Sequence, residues 1–193
     1  MLIKSEFDVA GSPDKVWEFF NDIPLVASCL PGADISEQVG EDEYAGTVVI
    51  KAGPVKLDFT GEATIKERDD AAKRIVVEAS GADVKGRGQA VLLVDAVVTA
   101  SASGSTVQVD QDLHLSGAAA QYGRGLVQDV TAILLDDFAT NMRRQLAAVE
   151  SGVAVDTSAS SSASGTTIAL RAMRMSLVRV FRRFFMPYPS TSN

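Results

Sequence analysis

The chain has 193 residues, 46% of them apolar, a net charge of −7, one cysteine and one histidine. That length suits one domain with an appendage, and a lone cysteine excludes an intrachain disulfide framework, in keeping with a reducing compartment. The start MLIKSEFDVAGSPDK lacks the basic, apolar and small-residue pattern of a secretory signal, and no apolar run reaches the roughly 20 residues that span a bilayer, so a cytoplasmic protein is expected.

Residues 2–9 alternate, with Ile3, Ser5, Phe7 and Val9 on one side and Leu2, Lys4, Glu6 and Asp8 on the other, the pattern of a half-buried strand. Ser12-Pro13 then predicts a helix opened by a hydroxyl cap and a proline in its first turn, carrying Val16, Trp17, Phe19 and Phe20. A second short helix is expected from Ile23-Pro24 to Leu30-Pro31-Gly32. About six antiparallel strands follow over 33–117. The sharpest has Val55, Leu57, Phe59, Gly61, Ala63 and Ile65 alternating with polar residues; a turn is expected over 67–72, and Ile75, Val77 and Ala79 continue the pattern. A long strand is expected over 86–102, and Ser103-Gly104-Ser105 reads as a hairpin turn. Beyond it Val107, Val109, Gln111, Leu113 and Leu115 oppose Gln108, Asp110, Asp112, His114 and Ser116.

After Gly117 one long helix is expected to about Glu150, with Leu126, Val130, Ile133, Leu134 and Phe138 as its apolar stripe. A sheet of this length with one apolar face has to curl around something, and this helix is the one element large enough to fill it. The predicted fold is α+β: a curved antiparallel sheet gripping a C-terminal helix with a space between them, complete within residues 1–150. Residues 151–165 are small and polar, the composition of a flexible linker. Residues 166–193 hold five arginines and no acid, while 1–150 carry a net −11. Over 166–186, Leu170, Met173, Leu177, Val180, Phe181 and Phe184 share one helical face opposite the arginines, and Pro187 ends the run.

SPDKVWEFFND, followed by the short helix ending in CLPGA (Cys29 to Ala33), resembles the start of a START/SRPBCC-type helix-grip domain. The CLPGA ending, with Gly86-Arg87-Gly88 and Gly123-Arg124-Gly125, resembles the CoxG family, proteins associated with molybdenum-containing carbon monoxide dehydrogenases. The resemblance covers residues 1–150. It implies recruitment of the dehydrogenase to the cytoplasmic membrane, where electrons enter the respiratory chain.

No catalytic residue and no metal site is expected. His114 falls on the polar face of its strand, so a serine–histidine–acid triad has no inward histidine. No Cys, His and acid cluster has ligand spacing, and Cys29 reads as a small buried hydrophobe. The two glycine–arginine–glycine stretches lack the strand–turn–helix setting of a phosphate loop and are expected to let the last helix pack closely on the sheet. The expected lining of an apolar pocket is Phe19, Phe20, Leu57, Phe59, Tyr122, Leu126, Val130, Ile133 and Leu134, with the Tyr122 hydroxyl as a polar contact to a ligand carbonyl.

The tail has the composition of a basic amphipathic helix lying in a membrane interface, docked by Arg171, Arg174, Leu177, Arg179, Phe181, Arg182, Arg183 and Phe184. The resulting expectation is a peripheral protein on the inner face of the cell membrane. Its partners are a carbon monoxide dehydrogenase or related molybdenum hydroxylase, an anionic lipid surface and a hydrophobic small molecule, and nucleic acid is not among them. It has no covalent cofactor and carries a bound quinone, menaquinone or ubiquinone. The other readings are a cyclase- or hydratase-type enzyme on an apolar substrate and a pure anchor or assembly factor with no ligand.

Overall fold

A computed structural model describes residues 1–52 and 55–150. The expected linker, and the tail with all its docking residues, lie outside the described residues. The elements run β1 (Leu2–Val9), α1 (Pro13–Asn21), α2 (Ile23–Cys29), β2 (Ala33–Gln38), β3 (Glu43–Ala52), β4 (Val55–Asp69), β5 (Arg74–Asp83), β6 (Gln89–Ser101) and β7 (Gly104–Leu115); a 3-10 helix (Gly117–Tyr122) then leads into α3 (Gly123–Glu150). The seven strands form one antiparallel sheet in the order β1-β7-β6-β5-β4-β3-β2. This is the helix-grip architecture.

Register fixes which residues face inward. Phe7 pairs with Val107, and Val107 with Val98; Val109 pairs with Ala96, Ala96 with Ile75. All of them belong to, or pack on, one apolar cluster. Where Gly46, Gly61 and Gly81 stand side by side on β3, β4 and β5, the backbones approach so closely that a Cβ on Gly61 would lie 1.9 Å from the Ser80 carbonyl oxygen. Only glycine permits that approach, and the row marks a stretch of strongly coiled sheet.

The helices close one end of the sheet. Ser12 stands at the N-cap of α1 with extended backbone, but its hydroxyl makes no cap bond, so Pro13 alone marks that start. The cap bond sits one helix on: Asp22 accepts from the backbone N–H of Leu25 at 3.0 Å, at the head of α2. Polar contacts then fasten helices to sheet and to each other, among them an ion pair of Lys73 in the β4–β5 turn with Asp14 on α1. The Trp17 indole N–H donates to Asp70 in the β4–β5 turn at 2.8 Å. Asn141 on α3 donates to the Cys29 carbonyl oxygen at the end of α2 at 3.0 Å. Arg143 donates to the Asp8 carbonyl oxygen at 2.9 Å, with its guanidinium 5.9 Å from the Phe7 ring centre. Phe7 also meets Phe138 edge to face at 6.1 Å.

Three boundaries differ from the sequence reading. β4 continues to Asp69, through part of the expected 67–72 turn. Gly86 to Gly88 do not open the long strand; they form the turn before it. The last helix does not start at Gly117 but at Gly123, which has a φ of 73°. The first glycine–arginine–glycine stretch does pack closely, against the 3-10 helix: a Cβ on Gly88 would lie 2.0 Å from the Ser116 carbonyl oxygen, and the Ala119 N–H donates to the Arg87 carbonyl oxygen at 3.0 Å. The second stretch does not: a Cβ on Gly123 or Gly125 would meet nothing within 4 Å.

Gly86 and Gly88 should therefore respond differently to alanine. Gly86 has a φ of 69° and open space around it, so Gly86→Ala is expected to cost about 1 kcal/mol for the left-handed backbone alone. Gly88→Ala adds a clash with rigid backbone and should cost about 3 kcal/mol or more. Thermal denaturation of the two variants checks this, and equal midpoints would rule out the close approach.

Candidate functional site

The nine residues expected to line a pocket fall into three groups. Phe19 and Phe20 lie in the packed cluster at the closed end, edge to face at 5.9 Å. Leu57 and Phe59 on β4 and Ile133 on α3 are buried, yet stand outside that cluster. Val130 and Leu134 are half-buried on α3, Tyr122 is half-buried at the end of the 3-10 helix, and Leu126 is 36% exposed. The grip thus has two ends: a tightly packed one under α1, α2 and the later turns of α3, and a second one, outside that cluster, to which Leu57 and Phe59 on β4 and Ile133 on α3 belong. At the second end Leu92, Leu113 and Leu115 are also only half-buried, on the inward face by register.

An ion pair between a buried carboxylate and a half-buried arginine fixes the sheet at this second end. Asp83, at the end of β5 and paired with Phe59, is 4% exposed. Its carboxylate accepts from Arg87 Nε at 2.9 Å and Arg87 Nη2 at 2.7 Å. It also accepts from the backbone N–H groups of Lys85, Arg87 and Asp58. The Arg87 guanidinium, reinforced by those N–H groups, holds the Asp83 carboxyl well below the usual carboxylate range against the opposing effect of burial. Tyr122 lies near enough to interact electrostatically with Arg87. The pair was not legible as a site from composition. Its signal was a single acid ending the inward series Val77, Ala79, Gly81, with an arginine four residues on.

Gln111 is the other polar group on the inward face. It is 8% exposed, lies between Val94 on β6 and Ile3 on β1, and its side-chain amide has no hydrogen-bond partner among the described residues. His114 is exposed on the outer face beside Asp112, at 3.1 Å. Cys29 is fully buried, and burial pushes its thiol up to about 11. Among the described residues there is no group of three or more His, Cys, Asp or Glu side chains placed to hold a metal ion, and no helix is long and apolar enough to cross a membrane. Two surface depressions among the described residues involve outer-face positions such as Lys4, Glu6 and Asp110 in one and Thr60, Glu62 and Ser80 in the other. The first is lined mostly by polar side chains and the second by polar side chains together with Gly61, Gly81, Ala82, Ala90 and Val91, and neither includes any of the nine residues expected to line a pocket.

The carbon monoxide dehydrogenase CoxG family matches residues 5–147. No curated protein matches the chain. Among solved structures, a conserved protein from Geobacillus kaustophilus is similar with a TM-score of 0.68 at 17% identity, over 76% of this chain and 95% of that one. Ara h 8.0201 aligns with a TM-score of 0.55 at 17% identity, over 77% and 98%. The ZhuI aromatase/cyclase from Streptomyces sp. R1128 aligns with a TM-score of 0.55 at 12% identity, over 80% and 99%. At these identities the likeness is one of fold.

Asp83→Asn keeps the shape of the side chain and removes its charge. The folded pKa lies below the unfolded one, so the ionised carboxylate stabilises fully above about pH 4, and that stabilisation is lost as pH falls from there through the depressed folded value. The variant should unfold more easily than the wild type at neutral pH, and the gap should narrow by about pH 3. Urea denaturation at both pH values measures it; a gap that widens on acidification would contradict the assignment.

Proposed function

Because the chain belongs to the CoxG family of carbon monoxide dehydrogenase proteins, we propose that it is an accessory protein that brings the dehydrogenase, or a related molybdenum hydroxylase, to the inner face of the membrane. In this reading it holds one hydrophobic molecule, a respiratory quinone, between α3 and the sheet. The observation that carries the ligand part is the uneven grip: Leu92, Leu113, Leu115, Val130 and Leu134 are only half-buried, beside Leu57, Phe59 and Ile133, which are buried outside the packed cluster. An apolar molecule would complete the burial that protein side chains leave unfinished there. The membrane part rests on the tail sequence, where five arginines oppose a face with Phe181 and Phe184. A dehydrogenase in water has no access to a quinone dissolved in a bilayer, and a protein that touches lipid and encloses an apolar ligand bridges that separation.

Two features argue against an enzyme in the same grip. The expected lining residues are apolar or aromatic, and none supplies a carboxylate or imidazole. The buried carboxylate at that end, Asp83, has both oxygens engaged by five donors and its pKa held low, which unfits it as a general base.

Organic extraction of the purified full-length protein, read by mass spectrometry, tests the ligand: a co-purified quinone is expected, a polar product would favour an enzyme, and an empty protein would favour an anchor. Vesicle co-sedimentation tests the tail. Replacing Arg179, Arg182 and Arg183 with glutamine should weaken binding to anionic vesicles by about 3 kcal/mol, at about 1 kcal/mol per charge, and leave neutral vesicles unaffected. Replacing Phe181 and Phe184 with serine should weaken both, because burial of apolar area is indifferent to lipid charge. Added salt should reproduce the arginine variant. A wild-type protein that ignores anionic vesicles would end the membrane reading.

A further inference from the structure

An inward-facing amide with no protein partner keeps its hydrogen-bonding groups available to whatever enters the interior. Gln111 is in that position: 8% exposed, facing inward beside Val94 and Ile3, with no hydrogen bond from its side chain among the described residues, and not one of the fully enclosed polar groups left without a partner, which are Asn21 and Asp58. Its neighbours along the inward face of β7, Val109 and Leu113, are apolar. Two contacts place it along the grip. Phe7 meets Phe138, and Arg143 meets Asp8, so α3 runs beside β1 in the same direction. Ile3, which pairs with Gln111, lies four residues before Phe7, roughly 13 Å at 3.3 Å per strand residue. The same distance back from Phe138 is about nine helical residues at 1.5 Å each. Gln111 therefore stands about level with Val130, at the border between the packed cluster, to which Val109 belongs and against which Val94 packs, and the less completely packed end.

We propose that the Gln111 amide is the polar anchor of the grip, donating an N–H hydrogen bond to a carbonyl oxygen of an otherwise apolar ligand. This rests on the ligand-carrying function proposed above and assigns the chemistry that would recognise such a molecule. A purely hydrocarbon guest would leave the amide unsatisfied, so the residue selects for a carbonyl among molecules of equal bulk.

The test uses the full-length protein stripped of bound lipid, and two probes measured by equilibrium dialysis: a naphthoquinone bearing one prenyl unit, and the same prenylated ring system without its carbonyl oxygens. Gln111→Leu and Gln111→Met keep approximate volume and remove the amide; methionine, flexible and unbranched, secures the test should leucine disturb the sheet. Both variants should bind the quinone roughly tenfold more weakly and the carbonyl-free probe as the wild type does, with a thermal midpoint equal to or above that of the wild type. Unchanged quinone affinity in folded variants would overturn the anchor and leave the ligand-carrying function standing. Equal weakening for both probes would reduce Gln111 to a packing residue and overturn it too. A wild-type protein that binds neither probe would overturn the anchor together with the function it rests on.

Discussion

One helix is too narrow to cover seven strands. At about 4.8 Å between neighbouring strands, the sheet would be roughly 29 Å across if flat, while a helix with its side chains is about 10–12 Å wide. Every other feature of the architecture answers that mismatch. The sheet coils, most tightly at the Gly46–Gly61–Gly81 row, and so brings its edges toward α3. The two short helices cover what α3 leaves bare at one end. At the other end the described chain supplies only the short 3-10 helix, and Leu92, Leu113 and Leu115 on the inward face there are covered only in part.

The two ends are held by different kinds of interaction. At the closed end, dense aromatic packing is pinned by single hydrogen bonds whose donors, Trp17, Asn141 and Arg143, reach from helix to turn, helix or strand. Such contacts fix the angle at which a helix lies. At the other end rigidity comes from the sheet itself: Asp83 ties the last residue of β5 to Arg87 in the following turn, and Gly88 lets that turn lie against the 3-10 helix leading into α3. That end of the grip is thereby tied down in its backbone while several of its side chains, Leu92, Leu113, Leu115, Val130 and Leu134, are only half-buried.

Periodicity made most of this legible. Alternation in β1, β4 and β7 named the inward residues correctly because each strand has one wet and one buried face, and the order of elements was enough for the curved sheet and gripped helix. What alternation cannot weigh is distance along the strand. It placed Phe19, Phe20, Leu57 and Phe59 in one set, although the first pair plugs the closed end and the second lies outside the packed cluster. Leu126 belongs to the apolar stripe of α3 by spacing and is 36% exposed, because the helix begins only three residues earlier and its first turn extends past the well-covered part of the sheet. Gln111 stood in plain view within an apolar series. Its meaning depends on lacking a partner, which is a fact of three dimensions. The misplaced start of the long strand had a local cause: Gly86 and Gly88 adopt φ values of 69° and 152°, which suit a turn and not a strand.

The sole thiol bears on what such a grip can safely hold. Oxidised quinones are electrophiles that add to thiolates, so a protein that encloses one beside a reactive cysteine would alkylate itself and leave circulation. Cys29, the last residue of α2, is fully buried, and burial raises its pKa to about 11, so it is almost wholly a thiol at neutral pH. No other cysteine exists in the chain. The body therefore presents no reactive thiolate to a quinone of the kind proposed above, and loading and release of such a molecule would not consume the protein through its cysteine.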